Sequence, residues 1–197
     1  MDITQPFPRG GGEMGELIRN FDWATSPIGP IETWPVSLKN AVSTLLYSKF
    51  PMFLFWGDDN IQFYNDAFRQ MLGHNGKHPD ALGQKAIDCW IETWDIVGPL
   101  ICNVKNEAEG IYFEDLLIPI YRNGEMQDGY WTFSYSPILD ELGMVQGVLC
   151  ISTETTEKVN SLNQIIDSKK ELEFAIDAAE LGVWDLNPET GRFSGNA

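Results

Sequence analysis

The stretch PMFLFWGDDNIQFYNDAF, Pro51 to Phe68, constrains the fold of this chain more than any other. Met52 to Trp56 is apolar without the gaps of a helical stripe, so it reads as a strand. Gly57-Asp58-Asp59-Asn60 is turn chemistry, because Gly and Asx residues adopt the backbone angles a reversal needs. Ile61 to Tyr64 forms the return strand of a hairpin. Asn65 or Asp66 can then accept hydrogen bonds from the orphan N–H groups of a helix beginning at Ala67. The unit is strand, turn, strand, helix.

The flanking sequence extends this pattern. Met1 to Gly12 is rich in Pro and Gly and is ordered only where something holds it. ETWPVSLKNAVSTLLYS supplies a Thr33 cap, a Pro near the first turn, and Leu38, Ala41, Val42, Leu45 and Leu46 on one face, which predicts an amphipathic helix over Pro35 to Ser48. After the hairpin, Ala67 to Leu72 reads as a short helix stopped by Gly73, and GHNGKHPDALG as a loop. From Gln84 to Ala108, Ala86, Trp90, Trp94, Val97, Ile101 and Val104 recur at helical spacing, as one or two helices broken near Gly98-Pro99 would place them. Three strands follow: Ile111 to Tyr121, ended by the turn signal RNG; Tyr130 to Ile138, in which Trp131, Phe133 and Tyr135 alternate with Thr132, Ser134 and Ser136; and Met144 to Thr153. Two strands before a helical middle and three after it predict an α+β domain with a five-stranded antiparallel sheet and its helices on one face.

Beyond Glu154 the texture changes. Leu162, Ile165, Lys169, Leu172, Ile176 and Ala179 alternate spacings of three and four, a short heptad-like seam with one charged member, so 158–180 reads as a helical linker. AAELGVWDLNPETGRFSGNA begins another strand and turn and then stops, as a chain ending inside a second domain would. The expected organisation is an N-terminal segment and cap helix over 1–48, a main domain over 49–157, the linker, and a truncated second domain over 181–197.

Charge and cysteine usage narrow the function classes. With 29 acidic against 13 basic residues the formal charge is -16, which repels nucleic acid and anionic membrane surfaces. Cys89, Cys102 and Cys150 are an odd set without C-x-x-C spacing, which argues against a disulfide framework or zinc site and for a reducing compartment. MDITQPFPRGGGEMGE lacks the basic and apolar regions of a signal peptide, and no apolar run approaches the roughly 18 residues of a membrane span. A cytoplasmic, soluble chain is the expectation.

The motifs carry a family resemblance. Phe50 to Thr156 resembles a PAS domain, a small sensory module whose sheet and helices enclose a cavity. FYNDAFRQMLG is similar to the family's strand-to-helix passage, and GMVQGVLCISTETTEKV to its last strand and exit motif. That motif usually reads Asp-Ile-Thr before the signalling helix and is Glu154-Thr155-Thr156 here. FDWATSPIGPIETWPVSLKNAV, FPMFLFWG, KHPDALGQ, IETWDIVGPL and FSYSPILDELG, in this order, resemble the first PAS-like module of bacterial sensor histidine kinases, often hybrid ones. LEFAIDAAELGVWDLNPETG resembles the entry of a second PAS module.

Several chemistries can be weighed residue by residue. Gly10, Gly12 and Gly15 satisfy G-x-G-x-x-G, but dinucleotide binding needs a preceding strand, and Pro6 and Pro8 offer none. His74 and His78 have metal-ligand spacing for a helix, but Gly76 and Pro79 make a solvated loop the better reading. The resemblance puts a haem ligand on the helix before the third strand, where Trp90 to Ala108 has no His, so haem is disfavoured. It puts a flavin-reactive Cys in an Asn-Cys-Arg-Phe-Leu-Gln setting, which Cys89 in IDCWIE lacks, so flavin is disfavoured too. No cofactor and no metal is predicted. The aromatics Phe53, Phe55, Phe63, Trp90, Trp94, Trp131, Phe133 and Tyr135 either line a cavity for an unidentified small ligand or fill a core, and sequence leaves both open.

No catalytic motif occurs, so the chain itself is not expected to be an enzyme. The resemblance implies a signal-relay module of a two-component phosphorelay, with the kinase domain lying C-terminal to this chain. Glu154, Thr155, Thr156 and Lys169 are the expected relay residues, because Lys169 in the seam weakens a coiled coil and keeps two registers close in energy. A homodimer through the N-terminal and linker helices is expected, unless Leu38, Ala41, Val42, Leu45 and Leu46 cover their own sheet instead. The alternatives are a small α+β-cup enzyme using Asp88, Glu92, Asp95 or Glu114 as general base, and a structural dimerisation spacer with no cavity.

Overall fold

The hairpin forms with β1 (Met52–Trp56) antiparallel to β2 (Ile61–Tyr64), Phe53 opposite Tyr64 and Leu54 opposite Phe63. The Asn65 side chain caps the helix that follows, α3 (Asp66–Arg69), by accepting the Phe68 N–H at 2.9 Å. A 3₁₀ turn, Gln70–Leu72, continues it to Gly73, whose φ of 68° ends the run. The computed structural model describes residues 7–179, 184–186, 188 and 190–195. The chain divides into two units, Met1–Thr156 and Glu157–Ala197.

Within the first unit, α1 (Gly12–Asn20) and α2 (Val36–Tyr47) precede the hairpin, and α4 (Ala86–Cys89) and α5 (Trp94–Glu107) follow α3. Then come β3 (Ile111–Leu117), a two-stranded ribbon of β4 (Ile120–Arg122) and β5 (Glu125–Gln127), and the long strands β6 (Tyr130–Leu139) and β7 (Val145–Glu154). The main sheet has five strands in the order β2-β1-β7-β6-β3, with every neighbour antiparallel. The domain is α+β, as the element order predicts.

Burial along the strands shows which parts of the sheet are covered twice. In β6, Trp131, Phe133 and Tyr135 are buried while Thr132, Ser134 and Ser136 are not, the alternation of a sheet covered on one face. All nine positions of β1 and β2 are buried, so that edge is covered on both. The helices α3, α4 and α5 lie over the face carrying Phe53 and Phe55. On the other face, Trp23 stacks on Phe63 with centroids 5.0 Å apart, and Trp34 meets the same ring edge-on at 5.4 Å. Both indole N–H groups are satisfied locally, Trp23 by the Ile18 carbonyl at 2.7 Å and Trp34 by that of Gly29 at 2.8 Å.

The stripe Leu38, Ala41, Val42, Leu45 and Leu46 is buried within the chain, so the apolar face of α2 covers its own sheet and is not available for a dimer. The helix is tied down at its end by Asn65, whose amide donates to the carbonyls of Leu45, Ser48 and Phe50 at 3.1, 3.3 and 2.8 Å.

Three local expectations are corrected. Thr33 does not cap α2. It sits in a 3₁₀ turn, Ile31–Thr33, bonding the Pro30 carbonyl, because Trp34 before Pro35 is extended and the helix begins only at Val36. The helical middle does not break at Gly98-Pro99. Pro99 lies inside α5, near enough to its start that only one intrahelical hydrogen bond is lost, and the break falls at Trp90 to Thr93. Ile111 to Tyr121 is not one strand, and RNG does not turn it into β6. Asn123 and Gly124, with φ of 56° and 85°, close the separate β4–β5 ribbon, and Pro119 interrupts the ladder between β3 and β4.

In the second unit, α6 (Thr156–Ala178) forms where the seam predicts a helix; its first residue belongs to the first unit. Leu162, Ile165, Leu172 and Phe174 are exposed along it. A short hairpin of β8 (Trp184–Leu186) and β9 (Phe193–Gly195) follows. The expected linker end at residue 180, and positions 181–183, 187, 189, 196 and 197 of the expected second domain, lie outside the described residues. So do Met1 to Pro6.

Candidate functional site

The inner face of the sheet and the helices over it line an apolar cavity of about 80 Å³ that is partly open to solvent. Its floor is Phe53 and Phe55 from β1, Trp131, Phe133 and Tyr135 from β6, and Cys150 and Ser152 from β7. Register explains the set: Cys150 pairs with both Phe53 and Tyr135, so side chains of three adjacent strands meet on one face. The roof is Phe68, Trp90, Thr93 and Val97, and the side wall is the strap Ile118-Pro119-Ile120 between β3 and β4.

Six of the eight predicted aromatics therefore come together. Phe63 does not, because it alternates to the other face of β2 and supports the N-terminal cap. Trp94 does not, because its ring folds against Gly98, one turn on in α5. The strap and Phe68 carried no sequence signal for the cavity, since their place in it depends on the break at Pro119 and on how α3 packs.

The walls are pinned from outside. The Trp90 indole donates to the Oε1 of Gln62, a fully buried side chain whose amide donates to the Ala81 carbonyl at 3.2 Å. Lys77 lies over the same indole ring, 5.1 Å from its centroid, and pairs with Glu92 at 2.9 Å. The Trp131 indole donates to the Ile118 carbonyl at 3.0 Å, fastening the strap to the floor. Burial pushes the Cys150 thiol up to about 12 and the Tyr135 hydroxyl well above its ordinary range, so both stay protonated and neutral near pH 7. Neither Asp88, Glu92, Asp95 nor Glu114 lines the cavity.

The strap leads directly to the relay residues. Arg122, two residues beyond Ile120, holds Glu154 with two hydrogen bonds, Nη1 to Oε2 at 2.7 Å and Nη2 to Oε1 at 2.5 Å. It also donates to the Gln127 Oε1 at 2.9 Å and the Met71 carbonyl at 3.2 Å, and its guanidinium sits 5.9 Å from the Trp131 ring centroid. The guanidinium holds the Glu154 carboxyl below its usual range. Thr156 donates to Glu154 at 2.9 Å and accepts the Tyr130 N–H at 3.0 Å, while the Thr155 N–H reaches the Tyr130 carbonyl at 2.7 Å. Sequence reading named Glu154 and missed Arg122, its partner thirty-two positions away. Lys169, on α6, is exposed and lies 3.7 Å from Glu173.

The discounted motifs have plain structural roles. Among the described residues no strand precedes Gly10, Gly12 and Gly15, and the N-terminus of α1 is already occupied, because the Asp66 carboxylate accepts the Met14 N–H at 2.8 Å. A Cβ on Gly12 would collide with that carboxylate. His78 bonds the Tyr64 hydroxyl at 2.9 Å and lies 3.4 Å from Glu13. No group of side chains among the described residues is arranged to hold a metal, and no helix among them is long and apolar enough to cross a membrane.

No family model and no curated protein matches the sequence. Solved structures do. An RNA-binding light-oxygen-voltage receptor is similar at 17% identity and TM-score 0.48, over 73% of this chain and 41% of that one. A PAS domain from Colwellia psychrerythraea is similar at 16% identity and TM-score 0.45, over 61% of this chain and 98% of that one. A sensory box sensor histidine kinase from Vibrio cholerae is similar at 14% identity and TM-score 0.41, over 60% and 91%. This chain thus spans well under two thirds of the RNA-binding receptor.

Proposed function

We propose that this chain is a PAS-type sensory and relay module of a two-component signalling protein, passing a ligand- or partner-induced change to a C-terminal histidine kinase. One observation carries the reading. The strap that walls the cavity continues into Arg122, and Arg122 grips Glu154 at the point where the sheet hands over to α6. An occupant that moves Ile118 to Ile120 moves the guanidinium, and the Glu154–Thr156 junction must readjust. The quoted motifs, in their order along the chain, support the family and the kinase context. The acidic charge supports a partner other than nucleic acid, and the cysteines Cys89, Cys102 and Cys150, all free, support a reducing, cytoplasmic setting. The exposed seam Leu162, Ile165 and Leu172 supports pairing with a second copy along α6.

Native mass spectrometry of the gently purified chain beside its denatured mass tests this. Stoichiometric extra mass is the expected result. No extra mass together with a dominant dimer peak would replace ligand sensing with dimerisation and relay alone.

A further inference from the structure

We infer that the cavity takes a small uncharged ligand carrying a hydrogen-bond acceptor, and that the Tyr135 hydroxyl is the group that reads it. The inference rests on the cavity being the sensory site, and names the chemistry of what enters.

The lining decides the charge. Among the described residues no Lys, Arg, His, Asp or Glu contributes to the wall, and an ion there would lose its hydration against aromatic rings with no counter-charge. The polar groups decide the rest. The indoles of Trp90 and Trp131 spend their N–H groups on the Gln62 side chain and the Ile118 carbonyl, so neither is free for a ligand. Thr93 bonds the Trp90 carbonyl at 3.4 Å, and Ser152 is engaged with the Cys150 thiol and, at 4.0 Å, the Met71 sulfur. The Tyr135 side chain is 5% exposed, lines the cavity, and its hydroxyl has no hydrogen-bond partner among the described residues. The hydroxyl oxygen is not sealed among packed side chains, so it stands open to the pocket, where a ligand can reach it. Burial keeps this hydroxyl protonated, so what it lacks is an acceptor such as a carbonyl oxygen or ring nitrogen.

Size sets the scale and links occupancy to output. The space of about 80 Å³ is smaller than the roughly 150 Å³ that accommodates a benzene molecule in an engineered apolar cavity. A six-membered ring therefore fills it and presses on the strap Ile118 to Ile120, which leads to Arg122. A ligand of this class would fill the cavity and displace the relay in the same movement.

Pyridine and benzene test the inference, because they share a shape and differ in one acceptor nitrogen. Binding is read at pH 8, where pyridine is neutral, from the indole N–H resonances of Trp90 and Trp131 in the intact chain, with benzoate as the charged probe. The expected result is that pyridine binds about ten-fold tighter than benzene, the factor one hydrogen bond supplies. In Tyr135→Phe that preference should vanish while benzene binding remains. Equal binding of the two probes to the wild type, or an unchanged preference in Tyr135→Phe, would overturn the role of Tyr135 and leave the cavity standing. Bound benzoate would overturn the requirement for a neutral ligand. Failure of both pyridine and benzene to bind would remove the sensory cavity itself. Should Tyr135→Phe not fold, the wild-type ratio alone decides.

Discussion

Replacing Arg122 with Met removes the guanidinium that joins the strap to Glu154 while keeping most of the aliphatic stem over Trp131. Two bonds to the Glu154 carboxylate, at 2.7 and 2.5 Å, are lost together with two to the uncharged acceptors of Gln127 and Met71. A hydrogen bond to a charged group is worth about 1.5–3 kcal/mol, an exposed ion pair about 0–1. The Arg122 and Glu154 side chains keep 14% and 24% of their exposure, between those limits. Arg122→Met should therefore cost about 2–3 kcal/mol, and a double-mutant cycle with Glu154→Gln should return a coupling of about 1.5 kcal/mol.

The pH dependence supplies an independent check. Arg122 holds the Glu154 carboxyl below its usual range, so the stabilisation is present above the unfolded carboxylate value, about 4.3, and is lost as pH falls through the lower folded value. Urea unfolding of the intact chain, followed by tryptophan fluorescence, should show a constant gap between wild type and Arg122→Met from pH 7 to about 5 that narrows on further acidification. Hydrogen exchange at Thr155 and Thr156 should rise in the variant while exchange in the middle of α5 does not. A coupling under about 0.5 kcal/mol, or a gap that stays constant on acidification below the unfolded carboxylate value, would refute the reasoning.

Two further perturbations address the cap and the linker. Asn65→Asp keeps the two acceptor bonds, from Met52 and Phe68, but faces the carbonyls of Leu45, Ser48 and Phe50 with a carboxylate; a loss of about 3–5 kcal/mol at pH 7 is expected, with partial recovery in acid as the new group protonates. Equilibrium unfolding at two pH values checks it, and a loss independent of pH would remove the electrostatic account. Lys169→Leu makes the α6 seam continuous, so sedimentation velocity should show a larger dimer fraction. An unchanged monomer fraction would sink the register argument.

What could be read from sequence was local. The hairpin, the Asn65 cap and the alternation of Trp131, Phe133 and Tyr135 follow from turn chemistry, capping and a period of two, each contained within a few residues. The gapless run of β1 even carried the sign of a strand covered twice. Tertiary structure decided the remainder. Whether Phe63 or Phe53 faces the cavity depends on which face of the sheet each helix covers, and neighbouring residues say nothing of that. The break at Pro119 and the continuity through Pro99 were settled by where the lost N–H falls, between ladders in one case and near a helix start in the other. The pairing of Arg122 with Glu154, and of Asp66 with the N-terminus of α1, joins segments far apart in sequence, where no periodicity reports the partner. The unpaired Tyr135 hydroxyl belongs to the same class: its strand and its face were written in the local alternation, but the empty space beside it exists only because strands, helices and strap close around it without filling it.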